Sequence, residues 1–478
     1  MMMGIERRYL LVRLSKFGLL VGDLLAFVLA FAVSTLLILS TKGIDFQLWI
    51  STQHEQRFFA WGFVAVFGLF LLLTNFQHYS DRRPYWDELA DFLKLIGILC
   101  LIDISIISIN RWEASRLWWG LSWSMSLIIL ILMRHLTRSL LSNMHLWNRP
   151  TVVLGVGTNA VDALAALNSH PELGLKIVGL IDVGGIEDVV PQKSFSRMNI
   201  SQMLEIASQQ DIHWIIALEH TQSDLREHCL RLLAQSGAID ISVIPAMRGV
   251  PLHGTNVSYF FSHEVAMLKM RNNLLRWPAR LTKRIFDFVG AFVLVLLLGP
   301  LMLAIAFWVR RDGGPALFSH PRVGKNEKIF NCYKFRTMVV DAELQLEQML
   351  QNPELKDQWE REKKIKNDPR VIPAGHFLRS SSLDELPQLF NVLLGDMSLV
   401  GPRPVVKNEL SKYAEDVGYY LMVHPGMTGL WQVSGRSDIS YESRVYLDTW
   451  YVKNWSIWYD LVILFKTVRS VILRSGAY

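Results

Sequence analysis

Long apolar runs dominate the first third of the chain. They cover approximately residues 17–39, 58–76, 92–110 and 117–133. Each run approaches or reaches the length of roughly 20 residues that an α-helix needs to cross a bilayer. The pattern predicts a four-helix transmembrane bundle over residues 1–149. Asp23 and Asp103 lie inside these runs, and we expect them to pair with Lys94 or with neighbouring helices, a functional relay being the alternative.

Basic residues are unevenly distributed around the four runs. They gather before the first run, after the second and after the fourth, while the other loops carry fewer. Because cytoplasmic loops of membrane proteins are enriched in lysine and arginine, both ends of the bundle are predicted to lie in the cytoplasm. The residues on this side are Arg7, Arg8, Arg13, Lys16, Arg82, Arg83, Arg134 and Arg138.

A fifth apolar run, residues 285–309, has a different pattern. It carries Gly299 and Pro300 near its middle and has basic residues at both ends. Proline removes a backbone donor and kinks a helix, so the run can enter and leave the membrane on the same side. We therefore predict a re-entrant helix facing the cytoplasm, with a full crossing as the alternative.

Residues 150–275 alternate strand and helix signals. An apolar strand at residues 151–154 leads into a G-x-G-x-x-A pattern, and a second strand ends at Asp182. This is typical of the first half of a dinucleotide-binding fold. Nucleotide binding is one interpretation of this pattern. The other is a degenerate Rossmann-like domain for regulation or dimer contact, which makes a homodimer the expected assembly.

The composition of the chain indicates a membrane protein. The chain has 478 residues, of which 51% are hydrophobic and 16 are tryptophan. It is too long for one ordinary domain. Its three cysteines lie far apart and indicate neither a disulfide framework nor a zinc site. The expected fold class is α plus α/β, with a C-terminal domain over residues 276–478.

Positive charge is concentrated in one segment. Between Arg280 and Met338 there are ten lysines and arginines against three aspartates and glutamates. Such a segment favours a phosphorylated substrate, anionic lipid or nucleic acid. Nucleic acid is disfavoured, because the segment flanks a membrane insertion and no recognised binding module is present.

Two adjacent carboxylates, Asp384 and Glu385, precede a short apolar run with Pro387 in a position that a first helical turn tolerates. We expect the pair to cap a helix, where the helix dipole favours ionised groups and phosphate. A capping box with Ser381 and Ser382 is the purely structural alternative. An activated aspartate beside a metal ligand is suited to phosphoryl transfer through a covalent intermediate.

The C-terminal 200 residues contain several long motifs in order. They are LTKRIFDFVGAFVLVLLLGPLML, GGPALFSHPRVGKNEKIFNCYKFRTM, KNDPRVIPAGHFLRSSSLDELPQLFNVLLGDMSLVGPRP, HPGMTGLWQVSGR and YVKNWSIWYDLVILFKTV. This region resembles the bacterial sugar transferases that start glycan assembly on polyprenol phosphate. With the preceding bundle and middle domain, the chain is similar to the long-form polyprenyl-phosphate hexose-1-phosphate transferases.

The resemblance implies a reaction and a location. UDP-hexose and undecaprenyl phosphate would give undecaprenyl-diphospho-hexose and UMP, with Mg²⁺ as cofactor, in the first membrane step of O-antigen, capsule or exopolysaccharide synthesis. The enzyme would contact the lipid bilayer of the bacterial inner membrane, with its active site facing the cytoplasm. Galactose is the expected sugar and glucose the alternative.

The resemblance also implies residue roles. Asp384 would be the nucleophile and Glu385 the magnesium ligand. Further catalytic positions would be Lys334, Arg379, Arg403 and Asp460, with Arg322 and Arg336 binding substrate phosphate. Each of these roles has a structural alternative. Lys334 and Arg336 could form the solvated face of a strand. Arg403 could only stabilise a turn, and Asp460 could be a polar residue of an amphipathic helix.

An aromatic cluster precedes the last helix signal. Its members are Trp450, Tyr451, Trp455 and Trp458. The following stretch combines apolar and basic positions, as in helices that lie in a membrane interface. We expect this segment to hold the C-terminal domain at headgroup depth.

Overall fold

The computed structural model describes residues 2–42, 55–79, 81–112, 115–182, 212–236, 240–247, 255–259, 266–269, 274, 276–352, 356, 358–359, 365, 368–435 and 439–472. The chain forms two compact units, Met1–Arg248 and Gly249–Tyr478. The predicted division into three domains, with boundaries at residues 149/150 and 275/276, is finer than these two units and stays a prediction.

Four apolar helices begin the first unit. They are α1 (Met2–Lys42), α2 (Glu55–Thr74), α3 (Tyr85–Ile109) and α4 (Arg116–Asn143). Each contains a segment long and apolar enough to cross a membrane. The four share one hydrophobic core, in which Phe27, Leu72, Leu99 and Leu130 are buried. Association with a membrane follows from this pattern.

Charged groups inside these helices are paired across helices. The Asp23 carboxylate accepts a hydrogen bond of 2.8 Å from Nε of Arg134. Asp103 forms an ion pair of 3.0 Å with Arg57. Pairing with neighbouring helices is therefore confirmed, whereas the expected partner Lys94 binds a different carboxylate. A buried carboxylate in a membrane helix requires such a partner.

A parallel sheet follows the helices. Its strands are β1 (Arg149–Leu154), β2 (Leu175–Ile181), β3 (His213–Ile216) and β4 (Ile241–Val243), in the order β2-β1-β3-β4. Helix α5 (Thr158–Ser169) covers one face, where Val153 packs with Ala160. Helix α6 (Ser223–Gln235) covers the other, where Val152 packs with Leu233. Buried parallel strands with helices on both faces match the predicted α/β pattern.

The start of α5 is occupied by a carboxylate from the chain itself. Glu219 accepts hydrogen bonds from the Asn159 backbone N–H at 2.6 Å and from the Thr158 hydroxyl at 2.9 Å. A Cβ on Gly157 would lie 2.6 Å from the same oxygen. In dinucleotide-binding folds the pyrophosphate occupies this helix end. The Glu219 carboxylate therefore occupies the position at which the G-x-G-x-x-A pattern predicts a phosphate.

Replacing Glu219 by alanine is expected to loosen the start of α5. Losing a cap of this kind costs about 1 kcal/mol, so the α5 amides should exchange roughly fivefold faster in the full-length protein. In the wild type, NAD should not protect these amides. Glu227→Ala on the exposed face of α6 is the matched control. Unchanged exchange in Glu219→Ala, or protection by NAD in the wild type, would contradict this assignment.

The second unit combines helices with short sheets. Its elements are β5 (Asn256–Tyr259), β6 (Ala266–Lys269), α7 (Trp277–Val309), β7 (Leu317–Val323), β8 (Ile329–Phe335), α8 (Ala342–Met349), α9 (Pro373–Ser381), α10 (Gln388–Leu394), β9 (Ser398–Val400), α11 (Val417–Leu421), β10 (Gly426–Thr428), α12 (Leu430–Val433), α13 (Tyr441–Lys453) and α14 (Ile457–Ile472). β5–β6 and β7–β8 are antiparallel pairs, whereas β9 and β10 run parallel.

Helix α7 contacts the rest of this unit at both ends. Near its start, Lys283 forms an ion pair of 2.8 Å with Asp460. At its end, the carbonyl oxygen of Val309 accepts a hydrogen bond of 3.1 Å from Arg336. Between these ends the helix is apolar, and Leu297 is 71% exposed. It is the fifth helix in the described residues with the length and composition of a membrane span.

Two members of the aromatic cluster before α14 do not lie on the surface as predicted, and the interfacial position of the segment stays a prediction. Tyr451 and Trp455 are buried, and both donate hydrogen bonds to Asp460, so they belong to the interior of the unit. Buried aromatic residues with a polar group of this kind usually find such a partner. Helix α14 itself exposes an apolar stripe. Its members are Leu461, Phe465 and Val468.

Candidate active site

Lys334 lies beside the two adjacent carboxylates predicted from the sequence. Its Nζ is 2.6 Å from a carboxylate oxygen of Glu385 and 4.0 Å from one of Asp384. Lys334 lies on β8, and the carboxylates lie in a 3₁₀ turn, Leu383–Glu385. The structure therefore brings three of the predicted catalytic residues together.

The turn that holds the carboxylates begins where α9 ends. Ser382 adopts a left-handed conformation with φ of 56°, which reverses the chain after α9. The expected capping role is wrong: α10 begins only at Gln388, and its first residues receive no side-chain cap. The Ser381 hydroxyl donates to the carbonyl of Phe377 instead. A non-glycine residue in this conformation stores about 1 kcal/mol of strain, as is common at functional sites.

Asn391 fixes this turn against β8. Its side-chain oxygen accepts from the Tyr333 backbone N–H at 3.0 Å, and its amide donates to the Asn331 carbonyl at 2.7 Å. Asn391 is fully buried on α10. These bonds join α10 to the strand that carries Lys334. Sequence reasoning missed Asn391, since an asparagine in an apolar run gives no signal until the strand beside it is known.

Burial controls the charge of the nucleophile candidate. Burial and the neighbouring Glu385 raise the pKa of Asp384 to about 6, while the cations Lys334 and Arg379 oppose this rise. Burial opposes the charged form of Lys334, but both carboxylates outweigh it and raise its pKa. Asp384 is therefore mostly ionised near neutral pH, poised between its acid and base forms.

Arg379 lies on the last turn of α9 and faces the same cluster. Its Nε donates a hydrogen bond of 3.0 Å to the Thr337 hydroxyl. Burial lowers the pKa of Arg379, and the charge of Asp384 opposes this shift. The guanidinium is thus the second cation beside the nucleophile candidate, with a planar fork suited to phosphate oxygens.

A second basic cluster contains Arg403 and Arg322. Arg403 lies 5.8 Å above the Trp431 ring. Burial and the charge of Arg403 lower the pKa of Arg322. Gly401 allows the turn before Arg403, because a Cβ there would lie 2.7 Å from the carbonyl of His424. Arg322 and Lys334 lie on the same face of the β7–β8 pair, so both arginines can extend the basic surface beside the carboxylates.

Arg336 and Asp460 lie in other networks. Arg336 is buried, and its five donors bind the Asp312 carboxylate and the carbonyls of Val309, Pro315 and Met338. Asp460 is fully buried among Lys283, Tyr451 and Trp455. Both residues fasten α7 to the unit, and the structure does not bring either to the Asp384 cluster.

Mg²⁺ fits the residues at the turn. In the described part of the chain no group of three or more His, Cys, Asp and Glu is arranged as a metal cage. Mg²⁺ is often held by only one or two carboxylates together with substrate phosphates and water. Glu385, whose side chain is 36% exposed, and Asp384 supply such a pair. When bound, the ion would neutralise negative charge on a diphosphate.

Comparison with known proteins identifies the family. Residues 278–474 match the model of the bacterial sugar transferases. The chain is 42% identical to a UDP-galactose-lipid carrier transferase of Erwinia amylovora, over 98% of each chain. It is 43% identical to an undecaprenyl-phosphate galactose phosphotransferase of Salmonella typhimurium, over 84% of each. The chain therefore belongs to the bacterial sugar transferase family and is an enzyme.

Proposed function

We propose that this enzyme transfers galactose-1-phosphate from UDP-galactose to undecaprenyl phosphate, giving undecaprenyl-diphospho-galactose and UMP. The observation that carries the proposal is the Asp384–Glu385 pair facing Lys334. Two relatives that align over most of the chain are named for UDP-galactose or for galactose transfer to undecaprenyl phosphate. A relative of Komagataeibacter xylinus, 30% identical over 69% of this chain, is named for glucose, which keeps UDP-glucose as the alternative donor.

In the first step, a carboxylate oxygen of Asp384 attacks the β-phosphorus of the UDP-sugar. The bond from that phosphorus to the bridging oxygen breaks, UMP leaves with both bonding electrons, and an aspartyl phosphosugar forms. Arg379 and Lys334 lie beside Asp384 and stabilise the charge on the phosphoryl oxygens. Arg403 and Arg322 are proposed to hold the second phosphate.

In the second step, a phosphate oxygen of undecaprenyl phosphate attacks the same phosphorus. The bond between phosphorus and the Asp384 oxygen breaks, which releases the lipid diphosphosugar and restores the carboxylate. Each step exchanges one phosphorus–oxygen bond for another, so no oxidant or reductant is required. A pKa of about 6 suits Asp384 to both tasks, since the group is ionised for attack yet leaves readily.

The assay that tests this function measures UMP release by the purified full-length enzyme across a panel of UDP-sugars, with undecaprenyl phosphate as acceptor. We expect UDP-galactose to give the highest kcat/KM. A higher kcat/KM with UDP-glucose would select the alternative donor. Absence of UMP release with every UDP-hexose would overturn the proposed reaction.

Replacing Glu385 by glutamine is expected to weaken magnesium dependence. The amide keeps the size of the side chain but loses the charge that a hard cation requires. The Mg²⁺ concentration for half-maximal UMP release should rise about tenfold or more. Glu347→Gln on α8 removes a carboxylate outside the cluster and should leave the titration unchanged. An unchanged titration in Glu385→Gln would exclude a ligand role.

We also propose that α7 is re-entrant and that the active site faces the cytoplasm. Support comes from the contacts of both ends of α7 with one unit, from Pro300 inside the helix and from basic residues at both ends. In a cysteine-free background, a cysteine at position 311 should react with an impermeant maleimide only from the cytoplasmic side. Labelling from the periplasm would exclude the re-entrant arrangement.

For residues 150–275 we propose a Rossmann-like regulatory or dimerisation domain. The parallel sheet with helices on both faces and the carboxylate of Glu219 at the α5 start support a role without a nucleotide. The expected assembly is a homodimer. The mass of the purified protein in nanodiscs tests this, and a mass of one chain would contradict it.

A further inference from the structure

The second unit contains a cavity of about 400 Å³ beside the first turns of α7. Its wall is largely apolar, with Leu281, Met397 and Val423 among the lining residues. Five basic side chains also line it. They are Arg280, Lys283, Arg284, Lys325 and His424. A cavity that combines an apolar wall with convergent charged groups has the general form of a ligand site.

Two of the cations in this cavity, Arg280 and Lys325, are not neutralised by any acid in the described part of the chain. Asp287 is the one acid among its lining residues, and it already binds Lys283 and the Leu399 backbone N–H. Within the described ranges, neither Arg280 nor Lys325 forms an ion pair. Burial and the charge of Arg280 lower the pKa of Lys325. Two cations that repel each other beside an apolar wall favour an anion between them.

The cavity continues into an apolar stripe on α7. Trp277 and Leu281, which line it, are 69% and 49% exposed. Exposed apolar residues then follow at helical spacing along the membrane segment. They are Ile285, Phe288, Phe292 and Leu296. An exposed tryptophan at the end of such a helix marks headgroup depth, and the stripe below it faces acyl chains.

The cavity is separate from the carboxylate cluster. None of Lys334, Asp384 and Glu385 lines it. Arg284, which does, binds the carbonyls of Val392 and Leu393 at the C-terminal end of α10. Asp384 precedes the N-terminal end of that helix, whose seven residues span about 10 Å. A phosphate in the cavity is therefore too distant to attack at Asp384, where reacting atoms must approach to roughly 3 Å.

We propose that this cavity binds the phosphate of an anionic membrane phospholipid, held by Arg280 and Lys325, with the acyl chains lying along the stripe on α7. The lipid is neither substrate nor product, so it is an accessory ligand that anchors the second unit at the membrane. The inference rests on the cavity and does not require the transferase reaction to be correct.

The test uses full-length protein purified in detergent and mixed with dioleoyl phosphatidylglycerol, with bound lipid measured by native mass spectrometry. Each surface lysine or arginine contributes about 1 kcal/mol to binding anionic lipid, so the double variant Arg280→Gln/Lys325→Gln should bind about 30-fold more weakly. Arg311→Gln removes a charge at the other end of the same helix and should bind like the wild type. The thermal unfolding temperature in the same detergent serves as the folding control for all variants.

Competition distinguishes the possible sources of phosphate. Inorganic phosphate and UMP should not displace phosphatidylglycerol, because they lack acyl chains for the stripe. Displacement by either would show a site for a soluble phosphate and overturn the proposal. Displacement by undecaprenyl phosphate at equal concentration would assign the cavity to the acceptor and overturn the accessory role. Equal loss of lipid in Arg311→Gln and in the double variant would show non-specific attraction and also overturn it.

Discussion

Replacing Asp384 by asparagine is expected to abolish UMP release and the covalent phosphosugar adduct together. The amide is nearly isosteric with the carboxylate, so Lys334 and the 3₁₀ turn should keep their positions. It cannot attack phosphorus, and loss of a nucleophile typically lowers kcat by about 10⁴-fold or more. The measurement pairs a UMP-release assay with mass spectrometry of the intact enzyme after reaction with UDP-galactose alone.

Asp396→Asn is the matched control for this substitution. Asp396 follows the apolar run that Asp384 precedes and forms an ion pair of 3.2 Å with Lys328, but it lies outside the Asp384 cluster. The control should retain activity within about twofold, as surface ion pairs contribute little. A phosphosugar adduct on any residue other than Asp384 would overturn the proposed intermediate, even if Asp384→Asn were inactive.

The sequence was sufficient for the elements with strong local patterns. The apolar runs predicted the five long apolar helices found in the described residues, and the alternating strand and helix signals predicted the parallel sheet. The chemical cluster was predictable for a different reason: Asp384 and Glu385 are adjacent in the chain, and a family motif includes them. Their local geometry was not, since the left-handed Ser382 moves them out of the helix that their pattern suggested.

Contacts between distant residues account for what the sequence did not reveal. The Glu219 carboxylate binds the start of α5 from 60 residues away. Asp460 is paired with Lys283, which lies 177 residues earlier in the chain. The start of α14, predicted to lie at the membrane interface, therefore belongs to a buried polar network. The spacing of apolar and polar residues does not predict such pairs, because an isolated acidic residue gives the same spacing whether its side chain faces water or a buried cation. Both pairs depend on how the helices and strands pack in three dimensions.

Loss of Lys334 is expected to reduce activity and to shift its dependence on pH. Lys334 and Arg379 lower the pKa of Asp384 against burial, and the balance lies at about 6. Asp384 must be ionised to attack, so wild-type UMP release should fall as the pH drops through about 6. Lys334→Gln removes one of the opposing cations, which raises the pKa of Asp384 further and moves this limb of the profile to higher pH.

At neutral pH the Lys334→Gln enzyme should lose about 100-fold or more in kcat, because a positive charge beside the transferred phosphoryl group is also lost. A pH profile from about pH 5 to pH 9 separates the two effects. Activity that is lost because Asp384 is protonated is recovered at high pH. Activity that is lost because the phosphoryl oxygens are less stabilised is not recovered. Lys328→Gln, which removes an exposed lysine from the same β-hairpin, should leave the profile unchanged. A Lys334→Gln profile that falls in parallel with the wild type, without a shift, would contradict control of Asp384 by Lys334 and leave only a role in binding phosphate.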